Sequence, residues 1–248
     1  MITCYATPGK AKALRLCEAF AVGARACGVA ADFTTDTRRL RPGAAVFYGI
    51  REDTRPLWAQ CKTEGRDWYF IDNSYFDAAR GWQFRVTKNR VQHDGRGQSD
   101  GARRQALGVT VKPWQMGTGR QAVICLQSDL HLRLTMAVDP ALWLRQALVQ
   151  AREMGLPARV RHWDANKGRQ MATLADDLRG ASVVITHSSA AAVEALLAGI
   201  AVRCAPQCAA HGVTPERREA WADVLADNQW TLAELADGTA WRMLNANA

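Results

Sequence analysis

One stretch of the chain gathers residue types that could hold the phosphate groups of a ligand. The apolar run Val183–Thr186 ends in His187, Ser188 and Ser189, and a series of small residues follows. This order predicts a buried strand that delivers polar side chains to the start of a helix, where unpaired amides and the helix dipole favour an anion. Glu194 follows within the predicted helix, so its carboxylate is in reach of a ribose on the same ligand.

This stretch, from residue 183 to residue 202, resembles the donor-binding signature of GT-B glycosyltransferases. In that family a histidine or a turn of small residues holds the diphosphate of a nucleotide sugar, and a glutamate holds the ribose. The resemblance implies a donor-binding set at Lys167, His187, Ser188, Ser189 and Glu194. Many family members differ from this chain, because they have glycine at one of the two serine positions and proline at position 201.

Two further patches carry a looser resemblance. The segments Trp68–Phe76 and Phe84–Asn89 are similar to a stretch of phage-type and capsule-type glycosyltransferase-like proteins. The segment Asn228–Leu232, with Gly238 and Trp241, is similar to their C-terminal helices. The resemblance to the phage-type enzymes implies transfer of a sugar to a base in DNA.

An inverting sugar transfer needs a group that takes the proton of the acceptor hydroxyl. Asp72, directly after a predicted strand, is the first candidate for this base, and His93 is the second. Each has a structural alternative: Asp72 could cap the turn that follows it, and His93 could be an ordinary loop histidine. In the same way, His187 could be a buried histidine with satisfied hydrogen bonds, and Glu194 could be a solvated helix position.

The positive charge of the chain is concentrated in its first half. Lys and Arg number 32 against 24 Asp and Glu, a net charge of +8, and residues 1–120 alone have 20 basic and 11 acidic side chains. The glycine-rich segment 78–120 mixes basic and aromatic residues, as a polyanion with stackable bases requires. We therefore predict DNA contacts from Arg85, Lys88, Arg90, Arg103 and Arg104. A solvated basic face, or a set that neutralises the donor phosphates, is the alternative.

Short β-type runs alternate with helical stretches along the chain, which predicts an α/β fold with parallel strands. The expected architecture is two Rossmann-like halves that face each other across a cleft, a compact GT-B fold. Residues 1–120 form the predicted acceptor domain, which includes the basic segment 78–120. Residues 121–248 form the predicted nucleotide-sugar-binding domain with its closing helices.

Several other functional classes lack their motifs in this sequence. The P-loop pattern is absent, no GxGxxG fingerprint follows a strand-like run, and Ser188 does not lie in the GxSxG nucleophile elbow of a hydrolase. Cys204, Cys208 and His211 are zinc-ligand types at an unusual spacing, which favours a structural role over a zinc site. The Asp-x-Asp metal motif of the other major glycosyltransferase fold is also absent, so we expect no metal site and no obligatory cofactor. With no membrane-spanning run or signal-peptide pattern, and seven cysteines without a CxxC pair, a cytoplasmic protein is expected, in a host cytoplasm if a phage encodes it.

The sequence therefore predicts an enzyme, a hexosyl- or pentosyltransferase that acts as a monomer or homodimer. It would move a sugar from a UDP-sugar to a hydroxymethylated pyrimidine in DNA. Two alternatives stay open at this stage. One is a transferase that acts on a capsular or lipid-linked acidic glycan, and the other is a non-catalytic, basic α/β module that binds nucleic acid.

Overall fold

The computed structural model describes residues 1–76, 83–115, 119–162 and 173–246. The chain forms two compact units. The terminal unit consists of Met1–Val91 and Asn228–Ala248, and the central unit is Gln92–Asp227. The chain thus passes between the units twice, after Val91 and after Asp227, whereas the sequence pattern predicts a single division after residue 120.

In the part of the chain that the structure describes, the first part of the terminal unit contains five strands and two helices, with the second and third strands, and later the fourth and fifth, following each other directly. Its elements are β1 (Ile2–Tyr5), α1 (Ala11–Ala26), β2 (Ala31–Thr34), β3 (Ala44–Tyr48), α2 (Arg55–Thr63), β4 (Trp68–Asn73) and β5 (Gln83–Lys88).

The central unit contains four strands, six α-helices and one turn of 3₁₀ helix within its described residues. The elements are α3 (Ala102–Ala106), β6 (Gln121–Cys125), α4 (Asp129–Leu134), α5 (Pro140–Glu153), β7 (Ala158–Arg161), α6 (Leu174–Leu178), β8 (Ala181–Thr186), α7 (Ala191–Leu197), β9 (Ala201–Cys204), the 3₁₀ turn Pro215–Arg217 and α8 (Arg218–Asp227).

The chain then returns to the terminal unit with β10 (Gln229–Thr231), α9 (Leu232–Ala236) and α10 (Thr239–Asn245). Strand β10 pairs antiparallel with β5 and completes a sheet of order β10-β5-β4-β3-β1-β2. Helix α9 packs so closely on α1 that a Cβ atom at Gly23 would lie 2.0 Å from the carbonyl oxygen of Leu235. These contacts explain why the closing helices belong with the first strands.

Both faces of each sheet are covered, as parallel sheets require. In the terminal unit, Leu16 and Phe20 of α1 pack on one face with Val46, while Trp58 of α2 packs on the other with Phe70. The central sheet, of order β7-β6-β8-β9, is entirely parallel and lies between α5 on one face and α7 on the other. The predicted α/β class with Rossmann-like parallel strands is confirmed.

Strands β4 and β5 are an exception to the parallel pairing, because they run antiparallel, with Asp72 opposite Arg85. None of the helices in the described ranges is both long and apolar enough to span a bilayer.

Candidate functional site

The strand order of the central sheet creates a crevice at the carboxyl ends of β6 and β8. From β6 the chain first crosses to β7 on one side and later to β8 on the other side. In open parallel sheets of this kind, ligands bind beyond the carboxyl ends of the strands where the connections diverge. The residues at this point are Gln127, after β6, and the turn His187–Ser189, after β8.

Two glutamines, Gln127 and Gln92, hydrogen-bond to Ser188. Its amide donates to Oε1 of Gln127 at 2.9 Å, and Nε2 of Gln127 donates to its Oγ at 3.0 Å. Its carbonyl oxygen accepts from Nε2 of Gln92 at 2.6 Å, and Oε1 of Gln92 accepts from the amide of Ala209 at 2.7 Å. Ser188, one of the predicted diphosphate contacts, is buried, and it is the centre of a hydrogen-bond network that fixes the turn.

The two neighbours of Ser188 are arranged differently. His187 is buried, its carbonyl oxygen accepts from the amide of Ala205 at 3.0 Å, and burial lowers the pKa of its imidazole. The ring is therefore neutral at physiological pH. Oγ of Ser189 accepts from the amide of Ala191 at 3.2 Å, at the start of α7. The expected order of strand, polar turn and helix is present.

A cavity of about 560 Å³ opens at the carboxyl ends of β8 and β9. Helix α5 lines one side with the half-buried Trp143 and two glutamines, and β9 with its following loop contributes Arg203 and His211. His187 also lines the cavity. The cavity therefore combines an indole face, which can stack on a planar ring, with groups that can neutralise or hydrogen-bond an anion.

Two cysteines lie at the same loop. Cys204 lines the cavity, and a hydrogen bond with Cys208, together with burial, raises the pKa of its thiol. Nδ1 of His211 lies 3.2 Å from the carbonyl oxygen of Cys204. Within the described part of the chain, no three His, Cys, Asp or Glu side chains are grouped so that they could hold a metal ion.

Of the predicted donor set, His187 lines this cavity, whereas Ser188 and Ser189 lie in the adjoining turn and are not among its lining residues. Glu194 is exposed on α7 and is not one of the cavity-lining residues. Lys167 lies outside the described residues. Gln127, Gln92, Trp143 and Arg203 were not predicted. Of these four, Gln127 alone had a sequence signal, because it directly follows the apolar run 122–126.

In the terminal unit, the predicted base and a predicted DNA contact form an ion pair with each other. Nη2 of Arg85 lies 2.5 Å from Oδ2 of Asp72, and the two side chains are 5% and 26% exposed. Oδ1 of Asp72 accepts from the amide of Asn73 at 2.8 Å, and the Arg85 guanidinium lies over the Tyr75 ring at 4.9 Å. Asp72 is thus the counter-ion of a buried arginine.

Two other predicted DNA contacts, Lys88 and Arg104, and the second candidate base, His93, are also engaged within their units. Lys88 pairs with Asp67 at 3.0 Å, and Arg104 pairs with Asp223 at 2.5 Å. Nδ1 of His93 accepts from the amide of Gly95 at 3.0 Å, as a loop histidine does. Arg90 is exposed and Arg103 is half-buried.

A second cavity, of about 700 Å³, lies in the terminal unit between α1 and the start of α9. Its lining combines the cations Lys12 and Arg15 with the apolar side chains of Leu16, Phe84 and Leu232. Nζ of Lys12 donates to Oδ1 of Asn73 at 2.6 Å and lies 4.9 Å from the centre of the Phe84 ring. An aromatic ring beside cations suits a ligand with a ring face and an acidic group.

No protein-family model matches the chain, and a search of curated proteins finds no match. Two solved structures from Thermosulfurimonas dismutans are similar in fold. The KpsC β-Kdo 2,4 transferase has 14% identity and a TM-score of 0.50, with 93% of this chain and 92% of that chain covered. The KpsC β-Kdo 2,7 transferase has 14% identity and a TM-score of 0.52, with 100% and 99% covered. The likeness is to the fold of two glycosyltransferases, as expected, and these two are Kdo transferases rather than DNA-modifying enzymes of the phage type.

Proposed function

We propose that this chain is a glycosyltransferase whose central unit holds a nucleotide-sugar donor. The observation that carries the proposal is the polar cavity at the carboxyl ends of β8 and β9, beside the fixed turn His187–Ser189. Its volume of about 560 Å³ lies within the usual range for small-molecule sites. The shared fold with two transferases of the sugar Kdo supports the same class of reaction.

The cavity lining suits the parts of a nucleotide sugar. Trp143 offers a flat apolar surface for the base, and the Arg203 guanidinium can bind phosphate oxygens through paired N–H groups. The neutral ring of His187 can donate one hydrogen bond to a phosphate oxygen without adding charge. We keep Ser189 as a candidate phosphate contact, and Glu194 and Lys167 as expectations from the resemblance.

For the acceptor, we propose an acidic glycan in place of DNA. Binding to DNA depends on basic side chains that neutralise its phosphates. Three of the five predicted contacts, Arg85, Lys88 and Arg104, already have carboxylate partners within 3.0 Å. The terminal-unit cavity instead offers cations next to the Phe84 ring, a combination that suits a sugar ring with an acidic substituent.

In the proposed reaction, the acceptor hydroxyl oxygen forms a bond to the anomeric carbon of the donor sugar. The bond from that carbon to the phosphate oxygen breaks, and the nucleotide leaves with the electron pair. Arg203 would stabilise the charge that develops on the leaving phosphate. Asp72, the ion-pair partner of Arg85, remains the proposed group that takes the hydroxyl proton.

The test measures donor binding and transfer separately. Calorimetry with nucleotides is followed by mass spectrometry of reactions that combine UDP-sugars or nucleotide-activated Kdo with acidic oligosaccharides or hydroxymethylated DNA duplexes. We expect Arg203→Gln to weaken nucleotide binding about tenfold or more, consistent with loss of a charge-assisted hydrogen bond. Arg179→Gln is the matched control, because Arg179 is exposed in the same unit and pairs with Asp176.

The outcomes separate the two parts of the proposal. A sugar added to the oligosaccharide supports both the enzyme class and the acceptor class. A sugar added only to the DNA would overturn the acceptor proposal and leave the transferase in place. If no nucleotide bound to the wild-type chain, the transferase itself would be refuted.

A further inference from the structure

Two buried glutamines stand beside the points where the chain passes between its two units. Gln92 is the first residue of the central unit and is 7% exposed. Gln229 is the second residue after the return to the terminal unit and is 0% exposed. A buried amide side chain is retained at little cost only where its polar atoms have partners. Each of these two side chains is therefore expected to hydrogen-bond to the loops around it.

Gln92 connects two loops at the donor cavity. Its Nε2 donates to the carbonyl oxygen of Ser188 at 2.6 Å, and its Oε1 accepts from the amide of Ala209 at 2.7 Å. Ser188 belongs to the turn after β8, and Ala209 belongs to the loop after β9. Residues of both segments, His187 and His211, line the cavity, whereas Gln92 itself does not.

Gln229 makes the corresponding contacts in the terminal unit. Its Oε1 accepts from the amides of Tyr75 at 2.9 Å and Phe76 at 3.5 Å, in the segment that follows β4. Gln229 also lies opposite Arg85 in the pairing of β10 with β5. Because the Arg85 guanidinium lies over the Tyr75 ring and pairs with Asp72, this glutamine fixes the surroundings of the proposed base.

We propose that Gln92 and Gln229 are positioning residues: Gln92 holds the donor turn and Gln229 holds the loop beside Asp72. Neither side chain contacts a reacting atom. This inference rests on the proposed function, and it assigns the two residues different kinetic effects. Loss of the Gln92 contacts should disturb donor binding, whereas loss of the Gln229 contacts should disturb the proton transfer step.

The test replaces each glutamine with methionine, which has a similar length and no hydrogen-bonding amide. We expect Gln92→Met to raise the donor KM about tenfold with kcat within about twofold, and Gln229→Met to lower kcat about tenfold with the donor KM unchanged. Gln115→Met is the control, because Gln115 makes one similar bond, from its Nε2 to the carbonyl oxygen of Ala198 at 3.0 Å, on the exposed surface.

Isosteric variants and hydrogen exchange keep the test independent of overall folding. Gln229→Glu retains an acceptor for the Tyr75 amide and should restore most of kcat, while Gln92→Glu cannot donate to Ser188 and should not restore the donor KM. Exchange should accelerate at the Ala209 amide in Gln92→Met and at the Tyr75 amide in Gln229→Met.

The possible failures are distinguishable. An active wild-type chain whose two methionine variants keep both kinetic constants would overturn the positioning roles alone. The same holds if each variant changes KM and kcat equally and the glutamate variants do not differ from the methionine variants. A wild-type chain that binds no donor would overturn the proposed function, and the positioning roles with it.

Discussion

The ion pair of Asp72 and Arg85 predicts that the variant Asp72→Asn has two separable effects. The substitution removes the carboxylate that faces a guanidinium only 5% exposed, so Arg85 keeps its charge without a counter-ion. It also removes the group that we propose takes the acceptor proton. A loss of activity in this variant alone would therefore not identify the base.

The expected loss of stability follows from the geometry of the pair. Removal of one partner of a fully buried ion pair costs about 3 to 5 kcal/mol. Asp72 is 26% exposed, so water reaches part of this site, and asparagine retains one oxygen that can accept from Arg85. We therefore expect the free energy of unfolding to fall by about 2 kcal/mol.

The assay is urea unfolding of the wild type, Asp72→Asn, Arg85→Gln and the double variant, together with a transfer assay on each. The double variant removes both charges, so it should recover more than half of the lost stability. Asp36→Asn serves as a control, because Asp36 pairs with an arginine that is 88% exposed, and we expect a much smaller effect.

Two results would refute this reasoning. If Asp72→Asn had the same free energy of unfolding as the wild type, the buried ion pair would not contribute to stability as its geometry requires. If the double variant regained both stability and transfer activity, Asp72 would be a structural counter-ion and not the base. Recovered stability without transfer is the result that we expect.

Three further predictions concern other parts of the molecule. Gly199→Ala should lower the free energy of unfolding by more than about 2 kcal/mol in urea unfolding, because Gly199 has a φ of +81° and a Cβ there would lie 2.1 Å from the carbonyl oxygen of Pro113. Burial lowers the pKa of the His187 imidazole in the folded state. Below about pH 6.5 the unfolded chain therefore binds more protons at this residue than the folded chain does. The free energy of unfolding should fall as the pH is lowered through this range, with a smaller slope in His187→Gln. Duplex DNA should bind only weakly in fluorescence anisotropy at physiological salt, and tight binding there would contradict the engaged state of Arg85 and Arg104.

The local order around the donor turn could be predicted from sequence, because it depends on neighbouring residues. An apolar run followed by polar and then small residues specifies the strand Ala181–Thr186 and the helix Ala191–Leu197. The partners of the turn could not be predicted in the same way. Gln92 and Gln127 are 96 and 61 residues away from Ser188. No sequence pattern identifies a neutral amide side chain as the hydrogen-bond partner of a distant turn.

The charge pattern shows the same limit. The sequence revealed a strongly basic segment but could not show which carboxylates face it. Arg104 and Asp223 are separated by 119 residues, and the fold brings them into contact. The division into units was unpredictable for a related reason, since it depends on the pairing of β10, near the C-terminus, with β5 in the first half of the chain. Local sequence patterns therefore do not predict which residues far apart in the chain contact each other.

The alternation of side chains along β4 and β5 constrains how an acceptor could be used. Ile71 and Phe84 belong to the core on the α1 face, so Asp72 and Arg85, their direct neighbours, point to the opposite face. The terminal-unit cavity, with Lys12 and Phe84, is on the α1 face. An acceptor bound there could reach Asp72 around the carboxyl edge of β4, where Asn73 contacts Lys12. The acidic group and the reacting hydroxyl must then be on different parts of the acceptor, which favours an oligosaccharide over a single small sugar.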